Sequence, residues 1–195
     1  MSTRQPAATP TVNVANGLTL LRLVLVPVFA WLMVASEMTN PGWRIAAAAV
    51  FGIASATDYF DGVLARSMDQ VTAFGKIADP IADKALTGAA LVLLSVYALL
   101  PWWVTGLILV REIGVTLLRF WVIRYGVMPA SRGGKLKTTL QITAIVWYLL
   151  PLPDLLAALA PWVMGAALIV TVVTGADYVV RAVAMRRSAS VPGEE

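Results

Sequence analysis

The chain has 195 residues, of which 59% are hydrophobic and only 13% are charged, and its formal net charge is +4. Soluble domains carry about 25% charged residues, so this composition excludes an ordinary soluble protein and indicates an integral membrane protein. Because Cys and His are both absent from the sequence, disulfides, thiol nucleophiles, imidazole bases and the usual zinc ligands are excluded. Acid–base or metal chemistry must therefore use carboxylates.

Hydropathy and turn signals predict an all-α bundle of six transmembrane helices with its active site at the cytoplasmic side. Each span needs about 20 apolar residues, which leaves no room for a sizeable soluble domain. The prediction divides the chain into a disordered tail over 1–12, a single membrane domain over 13–185 and a second disordered tail over 186–195. The predicted helices cover, in chain order, residues 18–35, 43–66, 75–100, 104–125, 136–150 and 161–185.

Six spans place both termini on the same side of the membrane, and the basic residues indicate which side this is. The terminal side holds Arg4, Arg66, Lys76, Arg124, Arg132, Lys135, Lys137, Arg186 and Arg187, whereas only Arg44 falls on the other side. The positive-inside rule then makes the terminal side cytoplasmic. Since no targeting segment is recognisable, we expect a multi-pass protein of a bacterial cytoplasmic membrane.

Four carboxylates interrupt the second and third predicted helices, at Asp58, Asp61, Asp79 and Asp83. A carboxylate at the bilayer centre costs roughly 2.5–3.5 kcal/mol, so such residues normally face a cavity. Spacings of three and four place each pair on one helix face, and both pairs lie roughly 6 to 12 Å below the cytoplasmic surface at about 1.5 Å per residue. Four converging carboxylates need cations, and Mg²⁺ or Mn²⁺ is the expected partner.

Structural roles for the same residues remain open at this point. Asp79 precedes Pro80 and could act only as the N-cap of a helix that begins at the proline. Arg66, Lys76 and Lys84 could neutralise three of the acids as structural ion pairs. Neither alternative explains why both acid pairs lie at one depth.

Small residues accompany the acids, at Gly62, Ala65 and Gly75. They could be simple packing residues, or they could let a flat ligand lie against the helices. Arg66, at the mouth of the predicted site, would reach a phosphate group. Together these residues predict a site for a metal-bound, phosphorylated ligand.

The spacing of these residues is similar to the signature of the CDP-alcohol phosphotransferase family. The run reads Asp58-x2-Asp61-Gly62-x2-Ala65-Arg66-x8-Gly75-x3-Asp79-x3-Asp83. This resemblance implies an enzyme that transfers a phosphatidyl or similar group from a CDP-linked lipid, here CDP-diacylglycerol, to an alcohol, with release of CMP. It also implies a six-helix membrane protein that forms a homodimer.

The resemblance further implies roles for individual residues. Asp58, Asp61 and Asp79 would bind the divalent metals, and Asp83 would be a further metal ligand and the catalytic general base. The CDP-binding pocket would be formed by Asp61, Gly62, Ala65, Arg66, Gly75 and Asp79.

Four basic residues on the fourth and fifth helices predict the acceptor site: Arg111, Arg119, Lys135 and Lys137. Their pattern, with Asn16-x2-Thr19-x2-Arg22 in the first helix, resembles the branch of the family whose acceptor is sn-glycerol 3-phosphate. Lysine and arginine both suit a small phosphorylated acceptor. Arg111 could instead form an intramembrane ion pair with Glu112 that orders the fourth helix.

Alternatives from the same family would use inositol phosphate, serine or phosphatidylglycerol as the acceptor. An alternative from a different class is a cation transporter that uses the intramembrane carboxylates. Membrane lipids are expected partners and nucleic acids are not. In the sixth helix, Asp177 and Arg181 are four residues apart and are predicted to pair with each other.

Overall fold

The computed structural model describes residues 14–68, 73–122 and 132–189, with side-chain surroundings described for 17–57, 84–122 and 133–186. All regular elements in these ranges are α-helices, as the composition predicts. They are α1 (Val14–Ser36), α2 (Pro41–Met68), α3 (Ala73–Val96), α4 (Trp102–Val122), α5 (Arg132–Leu149), the single turn α6 (Asp154–Ala157) and α7 (Ala160–Ala189). The six longer helices correspond to the six predicted ones.

The predicted helix boundaries differ from the observed ones by one to four residues, and the cause can be seen where proline and glycine intervene. α3 ends at Val96 rather than at residue 100, because Ala98 adopts a positive φ of 56° and Pro101 disfavours helical backbone before it. α4 starts at Trp102 rather than at 104, since the amides of Val104 and Thr105 already donate to the Pro101 carbonyl at 3.0 and 3.4 Å. α5 starts at residue 132 instead of 136 because the glycine pair at 133–134 is helical.

The chain forms two compact units that divide between Ala89 and Ala90. In the first unit α1 packs against α2, and the Phe29 and Phe51 rings lie at the centre of this contact with centroids 5.5 Å apart. Asn40 caps α2, because its Oδ1 accepts hydrogen bonds from the amides of Gly42 and Trp43 at 3.0 and 3.3 Å.

In the second unit α4 and α5 both pack against α7. α7 contributes a buried stripe with the three- and four-residue spacing of a helix face: Ala160, Met164, Ala167, Thr171, Thr174, Tyr178 and Ala182. Near the turn between α3 and α4, the Ser95 and Thr105 hydroxyls lie 2.7 Å apart, and Thr105 also donates to the Leu91 carbonyl at 3.2 Å. α7 is therefore the helix against which both α4 and α5, the helices that carry the predicted basic residues, are packed.

Two segments of the described chain are long and apolar enough to cross a bilayer, Gly17–Ser36 and Asp154–Arg186. α4 carries Arg111, Glu112 and Arg119 within its 21 residues, which lowers its mean hydropathy. Two of these three charged residues, Arg111 and Arg119, are ones that the sequence predicts to be functional.

Candidate functional site

The four predicted acidic residues lie within helices. Asp58 and Asp61 belong to α2, and Asp79 and Asp83 belong to α3. Because both helices are continuous through these positions, the spacings of three and four place each pair on one side of its helix. The side chains of residues 58–83 lie outside the described part of the structure. The metal and nucleotide roles of these acids, and of Gly62, Ala65, Arg66 and Gly75, therefore stay predictions.

The position where α3 begins tests the alternative that Asp79 is only the N-cap of a helix. α3 begins at Ala73, and an N-cap residue stands just outside the first helical turn. Asp79 lies within the helix, so the interpretation of Asp79 as the N-cap of a helix starting at Pro80 is wrong.

Glu112 is the centre of a buried charged cluster that connects α4 to α5. Its Oε1 accepts a hydrogen bond from Arg111 Nη1 at 3.1 Å and forms a short ion pair with Lys137 Nζ. The side chains of Arg111, Glu112 and Lys137 are only 12%, 16% and 8% exposed. Two of the four predicted acceptor residues, Arg111 and Lys137, thus meet at one carboxylate. The ion pair considered for Arg111 and Glu112 is present as well.

The guanidinium of Arg111 is also anchored to α7. Its Nε donates to the Thr171 carbonyl at 3.1 Å, and its Nη2 donates to the Thr174 hydroxyl at 2.8 Å. The side chain crosses α7 at Gly175, where an added Cβ would stand 3.1 Å from Arg111 Cγ. With the Glu112 bond, these contacts use three of the five N–H groups of the guanidinium.

Tyr178 connects the two predicted arginines of α4. Its ring is 2% exposed, and the guanidinium carbons of Arg111 and Arg119 lie 5.9 and 4.8 Å from the ring centroid. Arg119 Nη2 also donates to the Tyr178 hydroxyl at 2.7 Å. Arginine over an aromatic face is attracted by the ring quadrupole, so Tyr178 holds both cations along one side of α7.

Lys135 is separated from this cluster. Lys135 and Lys137 are two residues apart, so they point to different sides of α5, and Lys135 is exposed whereas Lys137 is buried. Arg181 pairs with Asp177 on the exposed side of α7, at 3.0 Å from Nε to Oδ1, which confirms the predicted intrahelical pair.

Sequence reasoning did not identify Thr171, Thr174 and Tyr178 as partners of the arginines. A signal was present, since the three polar side chains recur at helical spacing in an otherwise apolar segment. The pairing of Lys137 with Glu112 had no such signal, because 25 residues separate them in the chain.

The electrostatics of the cluster favour an anion. Arg111, Lys137 and Glu112 sum to one net positive charge in a largely buried setting, and exposed Arg119 adds a second. In such a setting charge–charge interactions are stronger than in water. Arginine binds a phosphate through a planar pair of donors and lysine binds it as a point charge, so the arrangement can hold a small phosphorylated molecule.

Replacement of Gly175 by Ala is expected to destabilise the protein by displacing Arg111. The new Cβ would press on a side chain that three hydrogen bonds hold in place, and overpacking of this kind costs about 1–3 kcal/mol. Gly165→Ala on the same helix is the matched control, because its Cβ meets no described atom within 4 Å. Thermal unfolding in detergent should give a clearly lower Tm for Gly175→Ala than for Gly165→Ala. Equal Tm values would contradict the close contact.

Comparison with known proteins identifies the class. The family model of the CDP-alcohol phosphatidyltransferases matches residues 12–173. The chain belongs to this family, and the protein is therefore a membrane transferase of phospholipid biosynthesis. The resemblance inferred from the aspartate run is confirmed, and the cation-transporter alternative is wrong.

Individual relatives match most of the chain, and their names describe similar enzymes. A probable phosphatidylglycerophosphate synthase of Mycobacterium tuberculosis strain H37Rv is 55% identical over 170 residues, which cover 87% of this chain and 81% of the relative. The CDP-diacylglycerol–glycerol-3-phosphate 3-phosphatidyltransferase of Bacillus subtilis is 41% identical, with 85% and 93% covered. The enzyme of that name from Escherichia coli K12 is 39% identical, with 70% and 76% covered.

Proposed function

We propose that this protein transfers the phosphatidyl group of CDP-diacylglycerol to sn-glycerol 3-phosphate, which yields phosphatidylglycerophosphate and CMP. The names and extents of the relatives support the reaction. The observation that carries the choice of acceptor is the buried, net positive cluster of Arg111, Glu112 and Lys137. Serine and phosphatidylglycerol offer no free phosphate dianion for this cluster to bind.

The carboxylates of α2 and α3 are the proposed metal site. Asp58, Asp61, Asp79 and Asp83 supply only oxygen donors, which are the ligands that Mg²⁺ and Mn²⁺ prefer, and each pair shares one side of a continuous helix. A metal bound to the diphosphate of the donor would neutralise the charge that builds on the departing CMP. Asp61, Gly62, Ala65, Arg66, Gly75 and Asp79 form the proposed CDP pocket.

The acceptor is activated by proton removal. Asp83, the proposed general base, takes the proton from the terminal hydroxyl of glycerol 3-phosphate as its oxygen bonds to the phosphorus that carries diacylglycerol. The bond from that phosphorus to the CMP oxygen breaks, and CMP leaves. In this proposal Arg111, Arg119 and Lys137 hold the acceptor phosphate, and Lys135, which lies on another side of α5, adds its positive charge at longer range.

The membrane arrangement belongs to the same proposal. The basic residues of the connections favour cytoplasmic termini and an active site on the cytoplasmic side of a bacterial plasma membrane. The donor keeps its acyl chains in the bilayer while its head group enters from the cytoplasm. A homodimer is expected, as implied by the family.

Purified protein supplied with CDP-diacylglycerol, Mg²⁺ and radiolabelled sn-glycerol 3-phosphate is expected to form labelled phosphatidylglycerophosphate and equimolar CMP. Inositol phosphate and serine, offered in parallel, are expected to give no lipid product. Product from inositol phosphate alone would overturn the assignment of the acceptor and leave the reaction class intact.

Replacement of Arg119 by Ala is expected to raise the KM for glycerol 3-phosphate about tenfold or more, since a hydrogen bond to a charged group contributes about 1.5–3 kcal/mol. The KM for CDP-diacylglycerol should not change. Arg186→Ala is the matched control, because Arg186 is also an exposed arginine over an aromatic ring, 5.3 Å from that of Trp121. If both variants keep the wild-type acceptor KM, Arg119 serves only to pack against Tyr178.

A further inference from the structure

Gln141 on α5 carries a buried carboxamide without a partner. Its side chain is 2% exposed, and neither Nε2 nor Oε1 has a hydrogen-bond partner in the part of the chain that the structure describes. Roughly 90% or more of buried polar groups in proteins are hydrogen-bonded, because an unpaired one keeps its full cost of desolvation. Two N–H donors and one carbonyl acceptor are therefore available inside the protein to bind a ligand.

The carboxamide of Gln141 lies on the same helix face as Lys137, a member of the cationic cluster. Gln141 follows Lys137 by four residues, so the two side chains lie on the same face of α5 with Cβ atoms about 5–6 Å apart. Both are buried, whereas Thr138 and Thr139 between them are exposed. Ala144 and Ile145 continue the buried face. The unpaired amide is thus one helical turn from the lysine that pairs with Glu112, further along α5.

We infer that Gln141 is a specificity-determining residue that binds the secondary hydroxyl of the acceptor. This inference rests on the proposed function, in which Arg111 and Lys137 hold the acceptor phosphate. The terminal hydroxyl of glycerol 3-phosphate must reach the phosphorus of the donor and cannot remain bound to a fixed amide. The hydroxyl on the central carbon is the polar group that remains, and a three-carbon chain can reach from Lys137 to Gln141.

The chemistry of the two groups is matched. A hydroxyl both donates and accepts a hydrogen bond, and a carboxamide supplies an acceptor and donors to it. Because the amide is neutral, it does not form an ion pair with the phosphate. It distinguishes acceptors by the positions of their hydroxyl groups. An acceptor without the central hydroxyl would leave the buried amide unpaired again, and sites built to bind a hydroxyl reject such analogues strongly.

The test compares two acceptors, sn-glycerol 3-phosphate and 3-hydroxypropyl phosphate, which lacks only the central hydroxyl. The wild-type protein is expected to prefer glycerol 3-phosphate by about tenfold to hundredfold in kcat/KM, which lies within the range for leaving a buried polar group without its hydrogen bond. Gln141→Met, which is apolar and of similar length, should use the two acceptors almost equally. Gln141→Asn, which withdraws the amide by one methylene group, should lose part of the preference.

Thr143→Val is the matched control, because it changes a polar residue to an apolar one on the exposed side of α5, two residues beyond Gln141. It should keep the wild-type preference. The preference is the ratio of two kcat/KM values measured on one preparation, so a smaller folded fraction does not affect it. If Gln141→Met fails to fold, Gln141→Asn alone provides the test. A wild-type preference that survives in both Gln141 variants would overturn the inference and leave the proposed function standing. No product from glycerol 3-phosphate with the wild-type protein would overturn the proposed function itself.

Discussion

Asp83→Asn is expected to abolish turnover while α3 stays folded. Asparagine is close to aspartate in size but cannot accept the proton of the attacking hydroxyl, and general-base catalysis contributes about 10²- to 10⁴-fold in rate. The kcat of the variant should therefore fall by at least about a hundredfold, without recovery at high Mg²⁺ concentration. Initial rates of CMP release across a range of Mg²⁺ concentrations measure both effects.

The control for this substitution is Asp154→Asn, which makes the same chemical change at an exposed position in the first turn of α6. It should retain wild-type kcat. The thermal unfolding curve of Asp83→Asn should stay close to that of the wild type, which separates lost chemistry from lost structure. A fully active Asp83→Asn protein would remove Asp83 as the base, and activity restored by Mg²⁺ would reduce it to a metal ligand.

Glu112→Gln is expected to cost about 3–5 kcal/mol of stability, the range for breaking a buried ion pair by removal of one partner. The substitution keeps the shape of the side chain but removes the negative charge that Arg111 and Lys137 share in a largely buried site. The KM for glycerol 3-phosphate should rise as well, because these two cations lose the carboxylate that positions them. Thermal unfolding in detergent and acceptor kinetics give the two readouts.

Asp177→Asn is the matched control for Glu112→Gln. It removes a carboxylate from an ion pair whose side chains are 55% and 42% exposed, and such surface pairs contribute about 1 kcal/mol or less. Combining Glu112→Gln with Lys137→Met should recover part of the lost stability, since one of the two cations that lost the carboxylate is removed too. Equal Tm losses for Glu112→Gln and Asp177→Asn, or no recovery in the double variant, would show that Glu112 does not stabilise the cluster.

Helices were predictable here because their signals are local. Long apolar segments and the Pro101 turn placed the six main helices. The predicted helix ends differ from the observed ones by one to four residues, for example around Pro101, where the outcome depends on hydrogen bonds of the neighbouring turns. The two acid pairs of α2 and α3 were likewise predictable, since residues three or four apart share a face of any helix.

Contacts between residues on different helices could not be predicted from such local signals. Arg111 and Lys137 were nominated as phosphate ligands by residue type, but the sequence offered no means of seeing that both would converge on Glu112, or that Tyr178 would lie under two arginines. Lys135 and Lys137 looked equivalent in sequence, and the helical period of α5 buries one and exposes the other.

The sequence by itself determined the membrane class, the helical fold and the reaction family, because composition, hydropathy and the spacing of the aspartates are properties of the chain alone. The packing of α4 and α5 against α7 decided the rest: which cations are buried together, which carboxylate pairs with them and which amide is left without a partner. These features depend on distances between residues that are remote along the chain. Only the folded helices bring such residues within reach of one another.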